Sequence, residues 1–397
     1  MFKCRHTFLF LPILTRVLTA DEYGELSLLM TVYALLLPIL SIALPQYVFR
    51  SFFDSSEEFS SRLQNGLSTV LAWTAVGNIL AISVSAAAFL LNFLSMVQAS
   101  ACIVIVVSAS LNSLFQIRLL LFNAEGKAKS FVTFQISYSL LLFVITLASL
   151  FFLQAGSFSR VLGVLVADII FAILAFREIK RTFGAKVVFP NSFSNSLDFL
   201  KFGGGLVPHL IASVLLSSLD KVIIASKMTM SDLAGYAIAV QFTSVLMIFT
   251  QGLSKEWSRY YLANRGGSRV MLRGLTLVGI ISGAGVVIYL LKDVFFFIFV
   301  GDGFSVNPTV IVFLLIGQIF HSIYMIVSIE ITYLKKTHIL SSLTLLSLFL
   351  NLMVSFALVD SYGTVGVAIG TMTGMAAKLI VVSMFVLYQR NRLVEEK

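Results

Sequence analysis

Ser130-Phe-Val-Thr-Phe-Gln-Ile-Ser-Tyr-Ser-Leu-Leu-Leu-Phe-Val-Ile-Thr-Leu-Ala-Ser-Leu-Phe-Phe-Leu153 runs without a single Asp, Glu, Lys or Arg. As a helix it is about 36 Å long, more than the roughly 30 Å hydrocarbon core of a bilayer. Similar stretches recur on both sides of it: Leu26–Phe49, Leu67–Leu91, Ser100–Phe122, Val161–Phe176, Phe199–Ala225, Leu233–Leu253, Val270–Leu291, Pro308–Leu334, Ile339–Val359 and Gly363–Tyr388. A shorter apolar stretch, Thr7–Leu18, precedes them and brings the expected number of spans to twelve. Hydrophobic residues make up 58% and charged residues 12% of the chain, and the charges are expelled from the segments rather than arranged on amphipathic faces. That pattern predicts an all-α polytopic membrane protein, because only a helix satisfies its own backbone in hydrocarbon. The alternating ten-residue segments of a transmembrane β-barrel are absent.

The net charge of +9 suggests a nucleic-acid partner until the positions of the charges are read. With the N-terminus inside, Arg16, Arg160, Lys227 and Lys292 fall outside, Lys221 and Lys378 lie within spans, and every other Lys and Arg falls on the inner side. This is the positive-inside bias; it predicts both termini in the cytoplasm and no nucleic-acid partner. Cys4 and Cys102 lie far apart, so neither a disulfide framework nor a thiolate metal site is expected. Pro12 and Arg16 interrupt the first apolar stretch, which therefore reads as an unprocessed segment rather than a cleaved signal peptide. There is no phosphate loop, no HExxH and no Gly-x-Ser-x-Gly, and no link between spans has room for a soluble catalytic domain. No cofactor is expected, and the chain reads as a transporter rather than an enzyme.

The sequence repeats internally. Arg16-Val-Leu-Thr-Ala-Asp21-Glu-Tyr-Gly24 returns as Lys227-Met-Thr-Met-Ser-Asp232-Leu-Ala-Gly235, an offset of 211 residues that aligns the basic residue, the acid and the glycine. Each copy precedes a span that closes on aromatic and basic residues, Gln46-Tyr-Val-Phe-Arg50 and Glu256-Trp-Ser-Arg259-Tyr. Six spans per half then predict two pseudo-symmetric six-helix bundles, 1–176 and 199–397, joined by a basic cytoplasmic linker over 177–198. In such parallel repeats the substrate route runs through a central cavity.

Polar residues recur inside the spans. His209, Ser213, Ser217 and Asp220 share one face of the seventh; Ser108, Asn112 and Gln116 share a face of the fourth, with Arg118 beyond. Gln241, Ser244 and Gln251 mark the eighth span, and Gln318, His321 and Ser322 the tenth, with Glu330 nearer the cytoplasm. Interhelical hydrogen bonding at about 0.6 kcal/mol per contact accounts for such stripes as well as a lined cavity does. Charge at depth asks for more. Asp168 and Lys378 lie near mid-membrane, where an ion costs about 2.5–3.5 kcal/mol. Each needs a partner or a wet cavity, and a structural pairing or a neutralised acid meets the same need. Lys221, next to Asp220 toward the outer end, is placed to snorkel. The single histidines read either as bonded packing residues or as proton carriers. Gly203, Gly204 and Gly205 followed by Pro208 predict an irregular seventh span, a hinge or a static kink. Gly366, Gly370 and Gly374, four apart, are close-packing chemistry.

At this point the chain resembles the polysaccharide-transporter family of O-antigen and capsule repeat-unit flippases, in the superfamily that also holds lipid II flippases and multidrug extruders. The resemblance rests on Leu11-Pro12-Ile-Leu-Thr-Arg16-Val-Leu-Thr-Ala-Asp-Glu-Tyr-Gly24, Arg50, Ser218-Leu-Asp220-Lys221-Val-Ile-Ile and Ser231-Asp-Leu-Ala-Gly235-Tyr236, and it extends over essentially the whole chain. It implies a bacterial inner-membrane, alternating-access carrier. The cargo would be an undecaprenyl-pyrophosphate-linked oligosaccharide, turned from the cytoplasmic to the periplasmic leaflet, with polymerase and chain-length proteins as pathway partners and membrane lipid around it. By that resemblance Arg118, Lys378 and Lys221 are candidates to face the pyrophosphate and sugar. Asp220, His209, Asn112, Gln116 and Gln241 are further cavity candidates, and Asp168, Glu330 and His321 are candidates for ion coupling. Relatives begin about twenty residues earlier, so the expectation is either a start upstream or a shortened first helix. A multidrug antiporter shares the fold expectation. An O-antigen polymerase or ligase would carry a large Arg- and His-rich outer loop, and this chain has none.

Overall fold

The computed structural model describes residues 3–53, 56–92, 95–184, 197–264, 268–333 and 337–395, and among these residues there is no strand. Fourteen helices follow in order: α1 Lys3–Val17, α2 Ala20–Ser41, α3 Leu44–Ser51, α4 Ser56–Leu90, α5 Met96–Ala124, α6 Ala128–Phe152, α7 Phe158–Phe183, α8 Leu197–Lys227, α9 Met230–Asn264, α10 Ser268–Leu290, α11 Lys292–Phe299, α12 Pro308–Val327, α13 Ile329–Tyr333 and α14 Thr337–Glu395. Ten segments of these helices are long and apolar enough to cross a bilayer. The last of them carries two crossings, because α14 breaks at Gly363, where φ is +57° and ψ −135°. Only glycine adopts that backbone cheaply, and the break falls between the two spans expected there. The chain is an all-α, multi-pass membrane protein. Most of the linker, residues 185–196, lies outside the described residues.

The helix ends have local causes. Ser95 and Gln98 form a reciprocal capping box that starts α5, with the Gln98 amide donating to Ser95 Oγ at 3.2 Å. Asn307 caps α12 ahead of Pro308, and α7 closes on Gly184 at φ +63° with Lys180 and Arg181 in its last turn. The span expected over Leu26–Phe49 turns a corner instead. Ile42 and Ala43, both at positive φ, end α2 and start α3. A β-branched residue there is strained, and neighbouring packing must hold it.

Contacts divide the chain into two compact units, residues 28–214 and residues 1–27 with 215–397; the division falls inside α2 and α8. In the first unit α7 lies along both α5 and α6, while α3 and α4 pack on α5. Its core at the α3 corner gathers Leu44, Val48, Leu63, Leu67, Ile117, Ile179 and Phe199. In the second unit α12 lies along α14 and α9, and α1 packs on α9 and α11. Thr15 Oγ1 donates to the Phe299 carbonyl at 3.1 Å and accepts from the Gly301 amide at 3.1 Å. Arg16 caps the same helix end through the Ile298 carbonyl at 2.9 Å, a cation where the dipole of α11 is negative.

The internal repeat is physical, with its register one residue from the sequence reading. Thr19 and Glu22 exchange hydrogen bonds at the start of α2, 2.9 Å from the Thr19 amide to the Glu22 carboxylate and 3.3 Å from the Glu22 amide to Thr19 Oγ1. Thr229 and Asp232 do the same at the start of α9, at 3.2 and 3.1 Å. The matching residues stand 210 apart, as do Asp168 and Lys378.

The helix α8 runs uninterrupted through Gly203, Gly204, Gly205 and Pro208, so the irregularity expected there is not seen. Proline's ring crowds the carbonyl of the residue four before it, which here is Gly204, with no side chain to hold that turn rigid. A Cβ on Gly203 would lie 2.7 Å from the Ile42 carbonyl, so the glycine permits α8 to approach the α2–α3 corner. Gly366, Gly370 and Gly374 seat the second arm of α14 on the first. A Cβ at 370 would meet the Ser355 amide nitrogen at 2.8 Å and the Asn351 carbonyl at 2.9 Å. Backbone cannot yield as a side-chain tip can, so Gly370→Leu is expected to cost at least about 1–3 kcal/mol. Thermal melting of the purified protein reads this, and an unchanged transition would contradict the packing described.

Candidate functional site

In the first unit, residues from four helices converge on one carboxylate. Asp168, on α7, is fully buried. It accepts from the hydroxyls of Tyr33 (α2) and Tyr138 (α6), each at 2.9 Å, and from the side-chain amide of Asn112 (α5) at 2.7 Å. Gln116 lies one turn on and donates to Asn112 Oδ1 at 3.3 Å. Phe115 stacks on the Tyr138 ring with centroids 4.4 Å apart and fixes where that hydroxyl points. Hydrogen bonds to a charged group contribute about 1.5–3 kcal/mol each, so three of them offset the roughly 2.5–3.5 kcal/mol of placing an ion at this depth. Asp168, Asn112 and Gln116 are thus brought together. The two tyrosines are functional candidates that the sequence reading counted as apolar.

Arg118 is placed elsewhere in this unit and is 1% exposed. It donates to Glu125 at 2.6 Å and Glu178 at 3.0 Å, with its guanidinium 3.8 Å from the centre of the Phe122 ring. Burial pushes the Glu125 carboxyl up, and the hydrogen bonds from Lys127 and Arg118 outweigh it, leaving it below the ordinary glutamate value. Removing one partner of a buried ion pair costs about 3–5 kcal/mol, because the other charge is stranded. Arg118→Ala is therefore expected to lower the amount of folded protein, and Arg118→Ala with Glu125→Gln to recover part of it. Size-exclusion yield from membranes measures both, and a normally folded single variant would refute the structural role. His209, on α8, is exposed together with Ser213 and Ser217, whereas Asp220 on the same stripe is buried.

In the second unit Asp220 accepts from the Tyr236 hydroxyl and from the Lys221 backbone amide, both at 2.9 Å. Lys221 is half-buried. Glu330, on α13, accepts a short hydrogen bond from the Tyr261 hydroxyl, beside Trp257, whose indole N–H donates to the Ile326 carbonyl at 3.1 Å. Gln241 accepts from Tyr23 at 3.2 Å, and its own side-chain N–H is buried with no acceptor among the described residues.

Lys378 is the exception among these charges. It is 6% exposed, and no carboxylate among the described residues lies within ion-pair distance. Its Nζ stands 4.1 Å from the centre of the Tyr324 ring, which stacks on His321 at 5.9 Å. A cation over an aromatic face gains about 2 kcal/mol when desolvated, less than an ion pair supplies. His321 Nδ1 and, one turn before it on α12, Gln318 Oε1 are buried without hydrogen-bond partners among the described residues. Buried polar atoms are almost always satisfied, so the lysine, imidazole and amide left over in this region are the candidate binding groups of the second unit. The described residues hold no group of three or more His, Cys, Asp or Glu suited to a metal.

Comparison with known proteins is decisive for the family. The family model described as "Polysaccharide biosynthesis protein" matches residues 6–253, more than half of the chain. The chain belongs to that family. A protein named for the Lsg locus of Haemophilus influenzae is 27% identical over 259 residues, 64% of this chain and 61% of that protein. The Haloferax volcanii protein named "Probable low-salt glycan biosynthesis flippase Agl15" is 24% identical over 199 residues, covering 48% of this chain and 42% of its own length. The chain thus spans less than two thirds of the length of these relatives. Among solved structures, the lipid II flippase MurJ in an inward closed conformation superposes with a TM-score of 0.74 at 15% identity, over 97% of this chain and 86% of MurJ. An inward-facing multidrug resistance MATE family transporter gives the same TM-score and identity over 98% and 96%. This member of the polysaccharide biosynthesis family therefore has the fold shared by MurJ and MATE transporters.

Proposed function

We propose that this chain is a flippase of the bacterial inner membrane. It turns undecaprenyl-pyrophosphate-linked oligosaccharide repeat units of an O-antigen or capsule from the cytoplasmic to the periplasmic leaflet by alternating access. Family membership, the name of the Haloferax relative and the MurJ fold support a lipid-linked glycan as cargo. The single observation that carries the reading is Lys378, a cation buried in a membrane helix without a carboxylate among the described residues. Such a charge costs about 2.5–3.5 kcal/mol to insert, and an anionic guest offsets that cost. A pyrophosphate is such a guest, and Gln318, His321 and Gln241 offer polar atoms to the sugar beside it. Lys221 and Asp220, with the exposed Ser217, are further polar groups of the second unit that we assign to the saccharide, and the exposed His209 and Ser213 are separate candidates in the first unit. Asp168 is the residue we assign to ion coupling, because its buried carboxylate is held by donors from three other helices. Glu330 and His321 are further candidates for that step. The termini, by the distribution of Lys and Arg, face the cytoplasm.

The test is deletion in the native host, followed by mass spectrometry of lipid-linked saccharides and assay of which leaflet holds them. Accumulation of a repeat unit on the cytoplasmic leaflet, relieved by the intact chain, is expected. Normal surface polymer with drug hypersensitivity would replace this reading with multidrug efflux.

A further inference from the structure

The helix α11 falls in the link between the spans expected at Val270–Leu291 and Pro308–Leu334, yet both of its faces are apolar. Phe295 and Phe296 turn inward onto Phe242 of α9, with ring centroids 4.8 and 5.5 Å apart, and Phe299 stacks on Phe295 at 4.7 Å. On the opposite side Val294, Phe297 and Ile298 are 55, 86 and 49% exposed. A helix apolar all round belongs in a core or in lipid. At eight residues, about 12 Å, α11 is too short to cross a bilayer.

Its exposed face continues that of α10. Val286, Leu290, Val294 and Ile298 follow at four-residue intervals and all point away from the protein. The register survives the joint at Leu291, whose amide donates to the Val287 carbonyl while the Phe295 amide donates to its own carbonyl, each at 3.0 Å. The side of α10 that meets acyl chains therefore runs on into α11. Depth agrees. The apolar run of α9 is Leu233–Leu253, closed on the inner side by Lys255 and Glu256. Phe242 lies nine residues, about 14 Å, in from its outer end, so the phenylalanines that touch it stand within the outer leaflet.

The last carbonyls of a helix take water when it lies in a loop; in hydrocarbon they need partners from the protein. Here they have them. Arg16 donates to the Ile298 carbonyl at 2.9 Å, and Thr15 Oγ1 donates to that of Phe299 and accepts from the Gly301 amide, both at 3.1 Å. The two charges of α11, Lys292 and Asp293, are paired with each other at 2.8 Å, so the helix brings no net charge with it.

We infer that α11 is a re-entrant helix set in the outer leaflet, with lipid acyl chains covering its Val294, Phe297 and Ile298 face. Gly301–Asn307 then returns the chain to the outer surface, where Asn307 and Val310 share a polar depression with Ser231 and Asp232 from the start of α9. The inference stands apart from the proposed cargo, because it uses none of the groups assigned to the saccharide or to the coupling ion.

The experiment uses the full chain with Cys4→Ser and Cys102→Ala, checked against wild type by thermal melting, and adds Val294→Cys, Phe297→Cys or Asp302→Cys one at a time. Each is spin-labelled and placed in vesicles of phosphatidylethanolamine and phosphatidylglycerol. Paramagnetic resonance then reads collisions with oxygen, which concentrates in hydrocarbon, and with a nickel chelate, which stays in water. Oxygen is expected to dominate at Val294 and Phe297 and the chelate at the exposed Asp302, so that the ratio inverts between Phe297 and Asp302. Dominance of the chelate at Val294 and Phe297 would place α11 in water and overturn the inference. Few collisions with either reagent at those two positions would overturn it as well, in favour of a protein partner or a second copy on that face.

Discussion

Lys378→Met is expected to slow export of the lipid-linked glycan at least about 10-fold while leaving the protein in the membrane at its normal level. The two halves of that expectation have one cause. A buried lysine without an ion-pair partner is a net cost to folding, so an apolar side chain of similar length is neutral or stabilising there. The same lysine, hydrogen-bonded to a phosphate oxygen, supplies about 1.5–3 kcal/mol, and its loss slows transfer roughly 10- to 150-fold. Surface polymer measured beside the melting temperature of purified protein separates the effects. A variant that melts no lower than wild type yet makes far less polymer supports a binding role. Wild-type polymer from Lys378→Met would sink the cationic site and leave Tyr324 as nothing more than a packing partner. Lys378→Arg is expected to recover part of the activity, since the charge returns but the planar fork needs different acceptors.

Asp168 supports the second large effect. Its two oxygens are shared among Tyr33, Tyr138 and Asn112. Asp168→Ala leaves three buried donors without an acceptor, at about 1–3 kcal/mol each, and is expected to deplete folded protein. Asp168→Asn keeps the shape: with the new amide nitrogen in the place of Oδ2, the Tyr33 hydroxyl turns to accept from it, while Tyr138 and Asn112 still donate to Oδ1. The asparagine variant is therefore expected to fold. What it loses is the ability to change charge, so transport in vesicles should no longer respond to an imposed proton or sodium gradient. A gradient response in Asp168→Asn equal to that of wild type would refute coupling at this carboxylate.

The spans were legible because charge expelled over more than twenty residues has one physical meaning in a chain of this composition. The break at Gly363 was legible for the same reason. What escaped was the partner of each buried polar group. Asp168, Asp220, Glu330, Gln241 and Lys378 all meet a tyrosine: Tyr33 and Tyr138, Tyr236, Tyr261, Tyr23 and Tyr324 in turn. Tyrosine contributes to hydropathy as an aromatic, yet its hydroxyl is a donor that helps an acid sit in hydrocarbon. Most of these contacts join different helices, and spacing along one helix carries no signal for them. Arg118 and Glu125 were readable, being seven residues apart and so on one face. The repeat was found one residue out of register because identity aligned Asp21 with Asp232, whereas the capping geometry aligns Glu22 with Asp232.

The clasp between Thr15, Arg16 and the end of α11 bears on the order in which the molecule is made. Those hydrogen bonds join residues 284 and 282 positions apart. α1 emerges from the ribosome long before α11 exists, and only after residue 301 has been synthesised are its carbonyl and amide contacts there complete. Until then a short segment with Pro12 and Arg16 must be sheltered by transient company, from an insertase or from earlier helices. A nascent chain arrested before α11 should therefore hold α1 loosely enough for cross-linking to the insertion machinery, and one arrested after Gly301 should not.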